Sequence, residues 1–391
     1  MVFVAFNSAE SHIPPLPSPM NFKALVKPRV LTQPTYEPGK PISAVAREYG
    51  LDPRRILKLA SNENPFGTSP KALESAKSAL SSAWLYPDGG ATELRQKLSW
   101  HLGVQPDQII LGNGSNEIIE LLGHTFLGEG DETVMGAHAF IVYKLVTLLF
   151  GAKPVEVPMP GLTHDLDAMA AAVTERTRVV FLPSPNNPTG TINTSEDILA
   201  FARSLPPQVI FVFDEAYAEY LEEPPDLRPL IEEGRKILCL RTFSKIYGMA
   251  GFRLGYGYGA PELISLLHQV RQPFNANLLA QEAALGALED RGWVEFCRKA
   301  NREGLRQLES GLAALGCPIT RSSANFVLVE FEKEETALSL FRALQERGII
   351  VRPLTGYGLG RFLRISVGKP DENAQVLTVL ESLLEEIPQP G

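Results

Sequence analysis

Short apolar runs alternate with amphipathic stretches through the middle of the chain, the pattern of a mostly parallel sheet covered by helices. Strands are expected at 108–111, 133–135, 154–157, 179–182, 209–213, 237–240 and 254–258. Helical spacing is expected at 70–80, in the stretch ending near 101, at 118–127 and at 261–272. Ahead of these lies an extended proline-rich arm from residue 23, leading to a short helix at 41–49 and a short strand at 57–60. From about residue 281 the pattern changes to one long helix reaching 315, a strand at 326–331, a helix at 337–347, further strands and a last helix. This second part reads as a smaller α+β unit with antiparallel character. The expected division is a tail at 1–20, an arm with part of the smaller unit at 21–60, a larger unit at 61–275 and the smaller unit at 276–391. No internal repeat is visible.

Length supports two units, since 391 residues exceed what one hydrophobic core holds. A net charge of -8 argues against nucleic acid or an anionic membrane surface as the main partner, so an anionic ligand must meet a local basic cluster. Cys239, Cys297 and Cys317 are odd in number and widely spaced, which gives no disulfide framework and fits a reducing, cytoplasmic setting. The six histidines lack ligand spacing, and no metal is expected. No apolar run approaches the roughly 20 residues of a membrane span. Residues 1–6 are apolar but lack the flanks of a signal peptide. The Pro-rich stretch after them reads as an unstructured tail, with Met20 as an alternative start.

The chemistry gathers in the loops that follow the expected strands. The run 237–240 opens into Arg241-Thr242-Phe243-Ser244-Lys245, with Arg253 behind it. A lysine held in a site can form a Schiff base with a carbonyl compound. Hydroxyls at Thr242 and Ser244 and the planar fork of Arg253 suit a phosphate. A cofactor that is both aldehyde and phosphate ester, pyridoxal 5'-phosphate, fits both halves. Asp214, at the end of an apolar run, needs a partner, and a pyridinium nitrogen would provide one; the plainer reading is a helix cap. Tyr217, and a side-chain amide in the loop Pro185-Asn186-Asn187-Pro188, can meet a ring oxygen. The glycine turn 112–114, opening a helix at Ser115, is a natural phosphate cradle. Phe140 can stack on a ring face, with core packing as the alternative.

In chain order these are Gly114-Ser115-Asn116, Asn187-Pro188-Thr189-Gly190, Asp214 with Tyr217, Ser244-Lys245 and Arg253. The order resembles the fold type I enzymes that use pyridoxal phosphate, in the aspartate aminotransferase superfamily. The resemblance implies a large domain with a mostly parallel central sheet and a smaller α+β domain. It also implies that Lys245 is catalytic, with Asp214, Asn187, Tyr217 and Phe140 around the cofactor ring and Ser115, Asn116, Thr242, Ser244 and Arg253 around its phosphate. The segments 34–41, 59–67 and 86–88, Pro273-Phe274-Asn275, and the arginines Arg352 and Arg364 are similar to the histidinol-phosphate aminotransferase branch. That likeness implies substrate contacts by Tyr36, Asn62, Arg352 and Arg364, and a homodimer in which Tyr86 reaches the neighbouring subunit's cofactor phosphate. It implies amino transfer between histidinol phosphate and 2-oxoglutarate, in histidine biosynthesis. Aromatic aminotransferases and threonine-phosphate decarboxylases share the scaffold and remain open. A silent regulator on this scaffold finds no appended DNA-binding segment or basic patch in the sequence, and a Ser-Lys hydrolase using Ser244 leaves the loops at Asp214 and Asn187 unexplained.

Overall fold

The computed structural model describes residues 21–35 and 39–386. The expected tail at 1–20 and Tyr36 lie outside these. Among the described residues thirteen strands, numbered in chain order, form three sheets. The largest runs β2 (Ile109–Gly112), β8 (Gly255–Gly259), β7 (Ile237–Thr242), β6 (Ile210–Asp214), β5 (Thr177–Pro183), β3 (Glu132–Gly136), β4 (Lys153–Val157) from edge to edge. All neighbours in it are parallel except the two pairs made by β8.

Successive side chains of a strand face opposite sides, and the two cores flanking this sheet divide accordingly. Leu111, Val180, Leu182, Phe211, Phe213 and Cys239 pack in one. Ile110, Val179, Phe181, Val212, Leu238 and Leu240 pack in the other. Cys239 is fully buried as a small apolar residue. A parallel sheet covered on both faces needs such unbroken apolar runs, which is why its strands were readable from sequence.

A four-stranded antiparallel sheet orders β12 (Arg352–Pro353), β13 (Phe362–Ser366), β10 (Phe326–Glu330) and β9 (Ile319–Thr320). The early strand β1 (Leu57–Lys58) pairs in parallel with β11 (Ile349–Ile350). Leu59 packs in the core beneath this second unit, so the chain just before the larger unit is built into the smaller one.

Several expectations shift. The strand at 254–258 starts one residue later and runs antiparallel, with Arg253 in the stretch that joins β7 to it. Its start still meets the carboxyl ends of the parallel strands. The helix expected from 118 begins at Ser115. The single helix expected over 281–315 is two, Leu278–Glu289 and Arg291–Ala314, broken at Asp290 with φ -99° and ψ 60°. There Asp290 Oδ2 accepts a hydrogen bond from Ser69 Oγ at 2.7 Å. The first of the two is rich in small residues, and a Cβ at Gly286 would lie 2.5 Å from the Lys71 carbonyl of helix Pro70–Ala79. It packs in the larger core, and the change of core falls along the second helix, where Cys297 belongs to one and Leu308 to the other. The arm is not extended throughout, since it turns through helix Pro28–Leu31, and Gln33 Nε2 donates to the Leu145 carbonyl at 2.8 Å.

Candidate active site

A cavity of about 260 Å³ opens where the carboxyl ends of the parallel strands face the smaller unit. Open α/β sheets place ligands at this edge. Its lining brings together Ser115, Asn116, Phe140, Asn187, Asp214, Tyr217, Thr242, Ser244, Lys245 and Arg253, with Asn62, Arg352 and Arg364 from the other side. Of the residues singled out in the sequence, Tyr86 stands apart. It is 82% exposed and stacks on Phe274 with ring centroids 4.7 Å apart.

Lys245 follows β7. Its Nζ donates to the Ser61 carbonyl at 3.4 Å and lies 5.6 Å from the centre of the Tyr217 ring. Removal from water lowers its pKa to about 8, the positive charges of Arg364 and Arg253 push the same way, and Glu63 and Asp214 oppose them. About a tenth is therefore free amine at pH 7 and about half at pH 8.

Asp214 ends β6. Its Oδ2 accepts from the Tyr143 hydroxyl at 2.7 Å and its Oδ1 from the Ala216 N–H at 3.1 Å, both neutral donors. Burial raises its pKa to about 6 against the pull of those bonds. Among the described residues no salt bridge reaches this carboxylate, Lys245 acting on it only at a distance, and a protonated ring nitrogen would give it a direct cationic partner. Behind it Glu215, nearly fully buried, pairs with Arg241 at 2.9 Å and accepts from the Tyr258 hydroxyl at 2.6 Å, which braces β6 against β7 and β8. Tyr143 was missed in the sequence. It sits in the apolar helix Ile141–Leu149, stacks on Phe181 at 4.5 Å, and by pattern reads as core.

The phosphate end is formed by three segments. Helix Ser115–Phe126 begins after Gly114, whose φ of 74° and ψ of 165° suit glycine, and no side chain caps its first turn. A Cβ on Gly114 would stand 2.6 Å from Arg253 Nη2, and one on Gly255 would stand 2.4 Å from Ser115 N. The two glycines let backbone, helix start and guanidinium close on one another. Arg253 Nη1 donates to Ser244 Oγ at 3.5 Å and to the Ala250 carbonyl at 3.0 Å, and Ser244 N donates to Thr242 Oγ1 at 3.0 Å. Free N–H groups, hydroxyls and a guanidinium at one point make an anion site. An aldehyde phosphate ester with a basic ring nitrogen fits the whole set.

Opposite lies the smaller sheet. Arg352 on β12 and Arg364 on β13 are direct cross-strand partners and both line the cavity. Arg364 donates to Asn187 Oδ1 and to the Ala60 carbonyl, and its guanidinium lies 5.2 Å from the centre of the Phe326 ring. Phe140 lines the cavity and packs edge to face with Tyr143, ring centroids 5.7 Å apart. Tyr357 joins the lining, and its carbonyl is bonded to His138 Nδ1 at 2.8 Å; no sequence pattern marked it. Asn62 is 1% exposed, and its Nδ2 donates to the Tyr217 hydroxyl at 2.9 Å.

Over residues 54–380 the chain matches the family described as Aminotransferase class I and II. It is 45% identical over 366 residues to the histidinol-phosphate aminotransferase of Akkermansia muciniphila, covering 93% of this chain and 100% of that one. It is 44% identical over 360 residues to that of Brevibacillus brevis, covering 92% and 98%. Among solved structures, histidinol-phosphate aminotransferase from Sinorhizobium meliloti, in complex with pyridoxal-5'-phosphate, matches with a TM-score of 0.85 at 27% identity, covering 93% of this chain and 98% of that one. Aspartate aminotransferase from Thermus thermophilus with maleate matches with a TM-score of 0.78 at 28% identity, covering 92% and 99%.

Proposed function

The chain belongs to the aminotransferase class I and II family, and within it we propose that it moves an amino group between L-glutamate and imidazole-acetol phosphate, giving 2-oxoglutarate and L-histidinol phosphate. This is a step of histidine biosynthesis. The observation that carries the substrate is the arginine pair. Like charges directly opposite in a sheet are destabilising, and two cations facing one cavity suit a dianion such as a phosphate ester. Relatives named histidinol-phosphate aminotransferase, matched along nearly their whole length, support the same choice. Arg364 would also take the α-carboxylate of glutamate in the other half-reaction, with Tyr36 as a further contact to the substrate phosphate.

The cofactor is pyridoxal 5'-phosphate. When bound, it supplies the carbonyl that takes up the amino group and the ring that draws electrons from the bond broken at the substrate carbon. Ser115, Asn116, Thr242, Ser244 and Arg253 would hold its phosphate. Asp214 would hold a proton on the ring nitrogen, with Tyr143 fixing the carboxylate. Asn187 and Tyr217 would meet the ring oxygen, and Phe140 would cover one ring face. Lys245 Nζ, with its pKa of about 8, would take a proton from the substrate carbon and hand it to the cofactor carbon that carried the carbonyl. One set of groups serves both half-reactions, so the first product leaves before the second substrate enters. The active unit is a homodimer in which Tyr86 serves the neighbouring subunit. Three buried, unpaired cysteines fit a cytoplasmic setting, and no helix of the described residues is long and apolar enough to cross a membrane.

Product analysis tests the assignment. With L-histidinol phosphate and 2-oxoglutarate, the protein should form L-glutamate without carbon dioxide, at a kcat/KM at least about tenfold above that for L-phenylalanine. Equal use of phenylalanine, or carbon dioxide released from threonine phosphate, would overturn it.

A further inference from the structure

Asn62 lines the cavity, yet its surroundings are not those of a ligand contact. Its backbone is left-handed, with φ 57°, and all its polar groups are engaged. The N–H donates to Ser366 Oγ at 2.9 Å. That hydroxyl accepts the bond and donates its own hydrogen to Asn62 Oδ1, 3.0 Å away. With Oδ1 settled as the acceptor, the amide turns Nδ2 toward the Tyr217 hydroxyl, to which it donates at 2.9 Å. The Asn62 carbonyl is held in turn by Asn325 Nδ2 at 3.0 Å.

The main-chain N–H only donates, and the Ser366 hydroxyl, which can accept and donate at once, carries the relay on to the amide oxygen. From there the bonds run hydroxyl to amide oxygen and amide nitrogen to phenol oxygen. Tyr217 is therefore an acceptor on the Asn62 side. Among the described residues no acceptor meets the phenol proton, and Tyr217 lines the cavity, so the proton is presented there.

We propose that Asn62 and Ser366 are positioning residues that fix Tyr217 as a one-way hydrogen-bond donor toward the ring oxygen of the cofactor. This rests on the reading that Tyr217 meets that oxygen. Donation from Asn62 also polarises the phenol and strengthens what it gives. Asn62, expected from sequence as a substrate contact, thereby acts through Tyr217. Ser366 lies two positions from Arg364 on β13, so the strand that carries the substrate arginine also carries the start of the relay.

The test uses full-length protein loaded with pyridoxal phosphate and reads the pH midpoint of the bound cofactor's visible absorption change. Donors on the ring oxygen favour its fully anionic form, so weakening them moves the midpoint upward. Tyr217→Phe sets the scale. Asn62→Gly keeps the left-handed backbone and removes the amide, and should raise the midpoint by about half a pH unit or more. Asn62→Asp offers an acceptor in place of the donor, turns the phenol proton away from the cavity, and should raise it at least as far. Ser366→Ala should move it in the same direction, and decides the matter if the Asn62 variants do not fold. In a Tyr217→Phe background none of these changes should add a further shift. Unmoved midpoints in Asn62→Gly and Ser366→Ala, beside a shifted Tyr217→Phe, would overturn the relay. So would shifts of equal size with and without the phenol. A Tyr217→Phe midpoint equal to wild type would instead sink the reading of Tyr217 itself, and the relay with it.

Discussion

Asp214 and Arg352 carry opposite charges on opposite walls of the cavity, and each makes a separate demand. Without cofactor, burial lifts Asp214 from its ordinary 3.8 to about 6. Between those values the folded protein keeps a proton that the unfolded chain has released, so folding stability falls as pH rises from about 4 to about 6 and stays reduced above. Asp214→Asn keeps one oxygen for the Ala216 N–H and turns its NH2 to the Tyr143 hydroxyl, whose oxygen can accept. It should raise the melting temperature of the cofactor-free protein at pH 8, by a gain on the order of 2 to 3 kcal/mol, while transamination is lost. Thermal unfolding with and without pyridoxal phosphate checks both halves: the cofactor should stabilise wild type strongly and the variant little. Lys245 works in the other sense, since its lowered pKa adds stability as pH climbs above about 8. Arg352→Ala should reduce kcat/KM in the histidinol-phosphate half-reaction by about 10- to 100-fold, the usual loss of a charged hydrogen bond. Rapid-mixing traces of the glutamate half-reaction should change far less. Equal losses would mean that Arg352 does not read the phosphate.

At the scale of elements, the account depends on β8 and the helix start at Ser115 lying close enough for an anion to meet both. Gly255→Ala forces a Cβ against the Ser115 N–H, and overpacking of this kind costs about 1 to 3 kcal/mol. It should weaken pyridoxal phosphate binding about tenfold or more in a fluorescence titration. Gly257→Ala, on the same strand, meets flexible leucine side chains at 3.2 and 3.3 Å and should bind within about twofold of wild type. This layout was legible in the sequence because each parallel strand is an apolar run ending in a polar turn, and the turns carry the chemistry. Lys245, Asp214, Asn187 and Arg253 stood out for that reason. What the sequence hid was contact at a distance. Tyr143 is 71 positions from the carboxylate it holds, and Ser366 is 304 from Asn62. Neither has a local signal, since one looks like helix core and the other like the end of a buried strand. The break at Asp290 was hidden likewise, because two helices with one residue between them keep nearly the same apolar rhythm. The antiparallel β8 was read as a strand, but its direction depends on partners the pattern does not name.

For the whole molecule, the site is made by closing the smaller unit on the larger. Asn62, Arg352 and Arg364 arrive from the side of β1, β12 and β13, and Lys245 and Asp214 from the large sheet. Tyr86 remains exposed on the chain itself, and its assigned place in a second subunit's site can be read by complementation. Lys245→Ala and Tyr86→Ala subunits, each impaired alone, should recover about a quarter of wild-type activity when unfolded and refolded together, since half the dimers then hold one intact site. No recovery would remove the shared site.

The most direct test of the central claim is a single-turnover absorbance trace. Protein loaded with pyridoxal phosphate is mixed with L-histidinol phosphate and no keto acid. The visible cofactor band should be lost rapidly, return on adding 2-oxoglutarate, and change far more slowly with L-phenylalanine. A band that persists with histidinol phosphate, or that bleaches with phenylalanine alone, would contradict the claim.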